Sequence, residues 1–143
     1  MDFDLDGFLP YRLSVAADAV SHAFSKLYAD KAGLSIPEWR VMAHLAHQSP
    51  ASVRDVTAKV NLEKSAVSRA VSRLEGRGLI HRAAHAEDQR LLSLTLTPAG
   101  ITLMQELTAL ASAFNARLAE RLGDDGAAFT RALQLLSQVG EDI

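Results

Sequence analysis

The chain has no cysteine among its 143 residues. That excludes disulfides, thiolate nucleophiles, thiol-based redox sensing and cysteine metal sites together. It also lacks a basic excess: 15 Lys and Arg stand against 17 Asp and Glu, a formal net charge of −2. No apolar run reaches membrane-spanning length. The acidic start (Asp2, Asp4, Asp6) is unlike a secretory or mitochondrial leader. No membrane partner is expected, and a cytoplasmic location follows most simply. Catalytic patterning is missing as well. His22, His44, His47, His81 and His85 have no evident nucleophile or acid beside them, so neither an enzyme nor a cofactor is expected. His44 and His47 are three apart, but a metal would need a third ligand and none is evident.

What is present is enough for a core. The hydrophobic fraction is 48%, and the length suits a single domain over residues 1–143. No repeat or low-complexity tract interrupts it. The charge is unevenly spread. Residues 52–90 carry eight Lys or Arg against five Asp or Glu, a local +3. The remainder carries seven against twelve, or −5. A basic module in an acidic body suits binding to nucleic acid through one face.

That module has a readable order. Ser52, with Asp55 three residues on, caps a short helix on which Val53, Val56 and Val60 fall on one side. Asn61 tolerates the left-handed backbone of a sharp turn. A second helix over 63–77 sets Ala66, Val67, Ala70, Val71 and Leu74 in one apolar stripe. Lys64, Ser65, Ser68, Arg69, Ser72 and Arg73 take the rest of its surface. Small hydroxyls between arginines let a helix sit deep in a major groove. Gly78 ends the helix, and candidate strands follow over 79–83 and 91–96. The loop between them holds Asp88 and Arg90; an arginine at such a tip can enter a narrow minor groove, oriented by an acid. Helix, turn, helix and a two-stranded wing make a winged helix-turn-helix.

The stretch LEKSAVSRAVSRLEGRGLIHR at 62–82, then Glu87-Asp88-Gln89-Arg90 and Leu94-Thr95-Leu96-Thr97-Pro98-Ala99-Gly100, resembles the multiple antibiotic resistance regulator (MarR) family. The resemblance covers about residues 10–140. It implies that 64–77 is a recognition helix, that Asp88 and Arg90 form a salt-bridged pair, and that Arg90 contacts the minor groove. It further implies a homodimer built by the first and last two helices, about 8–32 and 98–140, around a DNA-reading lobe at about 34–97. A small phenolic or aromatic effector is implied too, in a region that falls near Tyr11, Arg12, His22, Trp39 and Arg40.

Outside the module, Ser35 to Glu38 forms a capping box around Pro37. Thr97 and Pro98 open a long helix. The expected fold is mainly α with a small β wing: six helices and a two-stranded hairpin. Terminal helices with more apolar surface than the wing module covers suit a two-fold dimer on a pseudopalindromic double-stranded DNA operator. Lys64, Arg73 and Arg77 are the expected phosphate contacts, and Ser65, Ser68 and Arg69 the expected groove readers. The expected function is a sequence-specific transcription regulator of the repressor type. Two alternatives remain at this level. A non-specific architectural DNA binder should be more basic. A protein-interaction module on the same fold would not need Ser65, Arg69 and Arg90 exposed together.

Overall fold

Where the helices start and stop is set by a few polar and glycine residues. The first, α1 (Leu9–Ala32), carries Pro10 in its first turn and ends at Gly33. There a left-handed φ of 65° lets the Gly33 amide donate to the Ala29 carbonyl at 2.8 Å. A full capping box opens α2 (Ile36–His47): Ser35 Oγ accepts from the Glu38 amide, and the Glu38 carboxylate accepts from the Ser35 amide. The same device opens α3 (Val53–Val60), with Ser52 and Asp55 as the pair at 3.1 Å each way. Asn61 ends α3 in the left-handed region, φ 56°. Glu63 holds the N-cap position of α4 (Lys64–Gly76), but its side chain makes no capping bond.

The computed structural model describes residues 1–84 and 92–142. The chain divides into two compact units, Met1–Thr108 and Ala109–Ile143. The first unit holds the sheet, formed by β1 (Ala51–Ser52), β2 (Ile80–Ala84) and β3 (Leu92–Leu96) in the antiparallel order β1-β3-β2. Ile80 pairs with Leu96 and Arg82 with Leu94 on one side of β3; Ala51 pairs with Leu94 on the other. The sheet is therefore three-stranded rather than the two-stranded hairpin the sequence suggests. The extra strand is two residues long and held by backbone bonds, so no side-chain alternation announces it. Ser52 serves both as its last residue and as the cap of α3.

The core lies where α2 packs against α3, α4 and β3. Val41, Met42, Leu45, Val56, Val67, Val71, Leu74 and Leu94 are all within 1% of full burial. Tyr28 and Leu107 bring α1 and the start of α5 (Pro98–Leu122) into the same core. A clasp fixes the wing base. Thr97 Oγ1 donates to the Gly78 carbonyl at 2.6 Å and accepts from the Gly100 amide at 3.1 Å. The Thr97 amide donates to the Leu79 carbonyl at 3.1 Å.

The second unit contains the rest of α5, a 3-10 turn at Gly123–Asp125, α6 (Gly126–Ser137) and α7 (Val139–Asp142), a short final turn beyond the six helices expected. Phe129, Leu133, Leu135, Leu136 and Val139 are exposed on it. In the first unit, α1 and the segment before it likewise expose Phe3, Leu5, Phe8, Leu9, Tyr11, Val15 and Val20. Among the described residues no helix is long and apolar enough to cross a membrane. The protein is mainly helical with a small β wing, in winged helix-turn-helix topology.

Candidate nucleic-acid interface

The helical period divides α4 cleanly. Val67, Ala70, Val71 and Leu74 turn inwards and are 0–1% exposed. Lys64, Ser65, Ser68, Arg69, Ser72 and Arg73 are all exposed on the other side. Ser65, Arg69 and Ser72 are spaced i, i+4, i+7 and so share one outward column. Short hydroxyls in that column keep the helix backbone close to anything that docks, while Arg69 reaches beyond them.

This face is held rigidly. The turn before α4 is braced from α2, where Arg40 Nη1 donates to the carbonyls of Val60 at 3.4 Å and Asn61 at 3.5 Å. The guanidinium thus sits at the negative end of α3, where its charge opposes the helix dipole. Glu75, the acid nearest the end of α4, faces Arg82 of β2 at 3.5 Å. Among the described residues Lys64, Arg69 and Arg73 have no ion-pair partner, so their charges are available to a polyanion.

Arg77 is placed differently from the other expected phosphate contacts. Its guanidinium donates to the Ala32 carbonyl at 2.8 Å and the Gly33 carbonyl at 3.5 Å, at the end of α1. The expected wing pair, Asp88 and Arg90, lies outside the described residues.

The five residues expected near an effector are not brought together within one chain. Tyr11, Arg12 and His22 are exposed on α1, and Tyr11 and His22 stand about 16 Å apart along the helix axis. The ring Nδ1–H of His22 donates to the Asp18 carbonyl at 2.8 Å. Trp39 is half-buried in an aromatic cluster, edge-on to Phe24 at 5.1 Å and stacked on Tyr28 at 5.3 Å. Arg40 is committed to the end of α3. A different space is open: a groove of about 480 Å³ lined by Leu45 of α2, Ser49 just after it, Leu96 of β3, and Ile101, Met104, Gln105 and Thr108 of α5. Among the described residues its lining carries no charged side chain. Its polar edge comes from Ser49 after α2 and from Gln105 and Thr108 of α5, which sequence periodicity alone could not bring together.

Among the described residues, three titratable groups near α3 and α4 are perturbed. Burial pushes the Tyr28 hydroxyl above the usual tyrosine range, with Arg40 pulling the other way. The Ser52 amide, then its hydroxyl, hold the Asp55 carboxylate below the usual range. His44, near the end of α2, is 7% exposed, and its Nε2 has no hydrogen-bond partner. Burial depresses its pKa below 6.5; His47 and Lys59 push the same way and Asp55 opposes them.

The sign for stability follows from linkage. Above about pH 6.5 His44 is neutral in both states and makes no difference. Below it, the unfolded chain takes up the proton more readily than the folded one, so stability falls. Thermal melts from pH 7 to 5 should show a drop in midpoint that His44→Gln flattens. An unchanged pH profile in that variant would show that another group is responsible.

Comparison with known proteins gives a consistent likeness. The family model described as MarR family matches residues 32–91. The HTH-type transcriptional regulator MgrA of Staphylococcus aureus is 30% identical over 100 residues, covering 70% of this chain and 68% of that protein. The HTH-type transcriptional repressor MdtR of Bacillus subtilis is 30% identical over 88 residues, covering 62% and 57%. Across several curated relatives the matched stretch spans about half of their length, 42% to 57%. Among solved structures, a MarR/EmrR family transcriptional regulator from Acinetobacter sp. ADP1 superposes with a TM-score of 0.87 at 25% identity, covering 99% of this chain and all of the other.

Proposed function

The chain belongs to the MarR family, and on that premise we propose that it is a dimeric, sequence-specific DNA-binding transcription regulator that represses by occupying its operator. The observation that carries this reading is the division of α4. One side buries Val67, Ala70, Val71 and Leu74, and the other presents Ser65, Ser68, Arg69 and two further cations with no partner among the described residues. In this reading Arg69, with Ser65 and Ser68, reads base edges in the major groove. Lys64 and Arg73 hold phosphates, and Arg90 enters the minor groove with Asp88 orienting it. The exposed apolar residues of α1, and separately those of α6, each offer a face that a second copy can cover. A two-fold dimer then addresses a pseudopalindrome. Relatives named as repressors at this level of identity support the sign of regulation.

We also propose a small-molecule switch, placed at the groove between α2, β3 and α5 rather than at the five residues near Tyr11 and Trp39. Without a charged side chain among the described residues of its lining, the groove suits a neutral phenol or similar ring better than a carboxylate. It borders the point where β3 passes into α5, so a bound ring would move the wing base relative to that helix.

The test is selection from a pool of random duplexes, followed by fluorescence anisotropy at fixed salt. Recovery of a pseudopalindrome with at least about 10³-fold preference over scrambled duplex is expected. Uniform weak binding would instead mark an architectural role, and no binding even at low salt would mark a module for protein contacts. On the selected duplex, Arg69→Ala should lose roughly 1–3 kcal/mol of discrimination at one base-pair position. Equal losses on specific and scrambled DNA would reject its base-reading role. The same probe screens the switch: neutral phenols should release it, and release only by aromatic carboxylates would return the site to Arg12 and Arg40.

A further inference from the structure

The guanidinium of Arg77 bridges two elements that are far apart in sequence. Nη2 donates to the Ala32 carbonyl at 2.8 Å and Nη1 to the Gly33 carbonyl at 3.5 Å, across 45 and 44 positions. Carbonyls at the end of a helix have no amide donor from their own helix, and they form the negative end of its dipole. The Gly33 amide serves Ala29; Ala32 is served from outside, by Arg77. A planar fork of N–H donors matches two adjacent carbonyls, which the point charge of a lysine does not reproduce.

Both ends of this bridge are rigid. Arg77 directly follows α4, and its own amide still donates to the Arg73 carbonyl at 3.1 Å. On the other side the grip falls on the joint between α1 and α2, where Leu34 is buried and Ser35 caps α2. The contact therefore fixes the end of the recognition helix to the end of α1.

We propose that Arg77 is a positioning residue and not a phosphate contact: it sets the angle between α4 and α1, and so the separation of the two recognition helices in the dimer. The proposal rests on the dimer reading above, because α1 carries exposed apolar residues that a second copy would cover. A helix of the length of α4 is about 20 Å long. Releasing it at the Arg77 end displaces Lys64 and Ser65 at the other, and these are the residues that would enter the groove. The effect reaches DNA through geometry, without any charge being given up to a phosphate.

The absence of native cysteine makes the separation directly measurable. A nitroxide on Ser72→Cys, on the exposed side of α4, reports the distance between the two copies by pulsed dipolar electron resonance, with no DNA present. The background protein should give one narrow distance population. Arg77→Ala and Arg77→Lys should both broaden it or shift it by several ångström, while Arg73→Ala leaves it in place. On a random 30-base-pair duplex, Arg77→Ala should leave the slope of log K against log salt unchanged. An unchanged distance distribution in both Arg77 variants overturns this proposal alone. A slope lowered by about one unit or more, and restored in Arg77→Lys, assigns Arg77 to phosphate and also overturns it. No distance between copies in the background protein removes the dimer, and the proposal with it.

Discussion

Replacing Gly100 by alanine is expected to destabilise the protein by at least about 3 kcal/mol, at the upper end of what overpacking costs. The reason is local and specific. A Cβ on Gly100 would fall inside contact distance of the Leu79 carbonyl oxygen and 3.1 Å from the carbonyl carbon. Both are backbone atoms, and that carbonyl is already held by the Thr97 amide. Neither side can yield without opening the clasp that joins the start of β2 to the start of α5. For a chain of this size the loss corresponds to a midpoint lower by roughly 10 °C. Gly76→Ala is the internal control. Gly76 is helical with a negative φ, and nothing lies within 4 Å of its added Cβ. There the change should be neutral or should stabilise by up to about 1 kcal/mol. Parallel thermal melts decide the matter, and equal midpoints for the two variants would show that the clasp has slack.

Removing Lys64 and Arg73 together is expected to weaken binding to every duplex about a hundredfold or more at moderate salt. In a dimer the double substitution deletes four cations from the exposed sides of the two α4 helices. If each meets a phosphate, the slope of log K against log salt falls by about 3.5 units. The loss should be similar on selected and scrambled sequences, because phosphates carry no base identity. Stability should barely change, since neither residue has an ion-pair partner among the described residues. Anisotropy titrations from about 50 to 300 mM salt provide the slope. An unchanged slope would place the DNA on some other face of the molecule.

Much of this architecture is legible in the sequence because its decisive signals are short-range. The Ser35–Glu38 and Ser52–Asp55 boxes are both formed. Asn61, Gly33 and Gly78 take positive φ at the turns their chemistry favours. Val67, Ala70, Val71 and Leu74 of the apolar stripe of α4 are buried as its period requires, while Ala66 at its edge is partly exposed. What escaped sequence reasoning involves partners distant along the chain. Ala51 and Ser52 pair with Leu94 and Ser93 through the backbone, which any residues could do. Gly100 matters because of the Leu79 carbonyl, 21 positions earlier. Arg40 and Arg77 look like free surface cations in one dimension, yet each serves helix-end carbonyls in the fold. An arginine's side chain is long enough that sequence spacing says little about where its head lies. Trp39 likewise packs with Phe24 and Tyr28 as part of an aromatic cluster, a destination its helical position alone could not decide.

The short strand before α3 bears on how the protein folds. Because Ser52 pairs with Ser93 and also caps α3, the first helix of the reading unit starts from a residue whose strand partner is made some 40 positions later. Closing so long a loop carries an entropic cost that local helix formation cannot offset in advance. The two helices of the reading unit can form early as fluctuating turns, but their final junction waits for β3 to arrive. The piece of chain that folds as one cooperative body therefore extends beyond α3 and α4, through β3 to the Thr97–Gly100 clasp. During synthesis the reading helices emerge first and stay incomplete until the far side of the wing has left the ribosome.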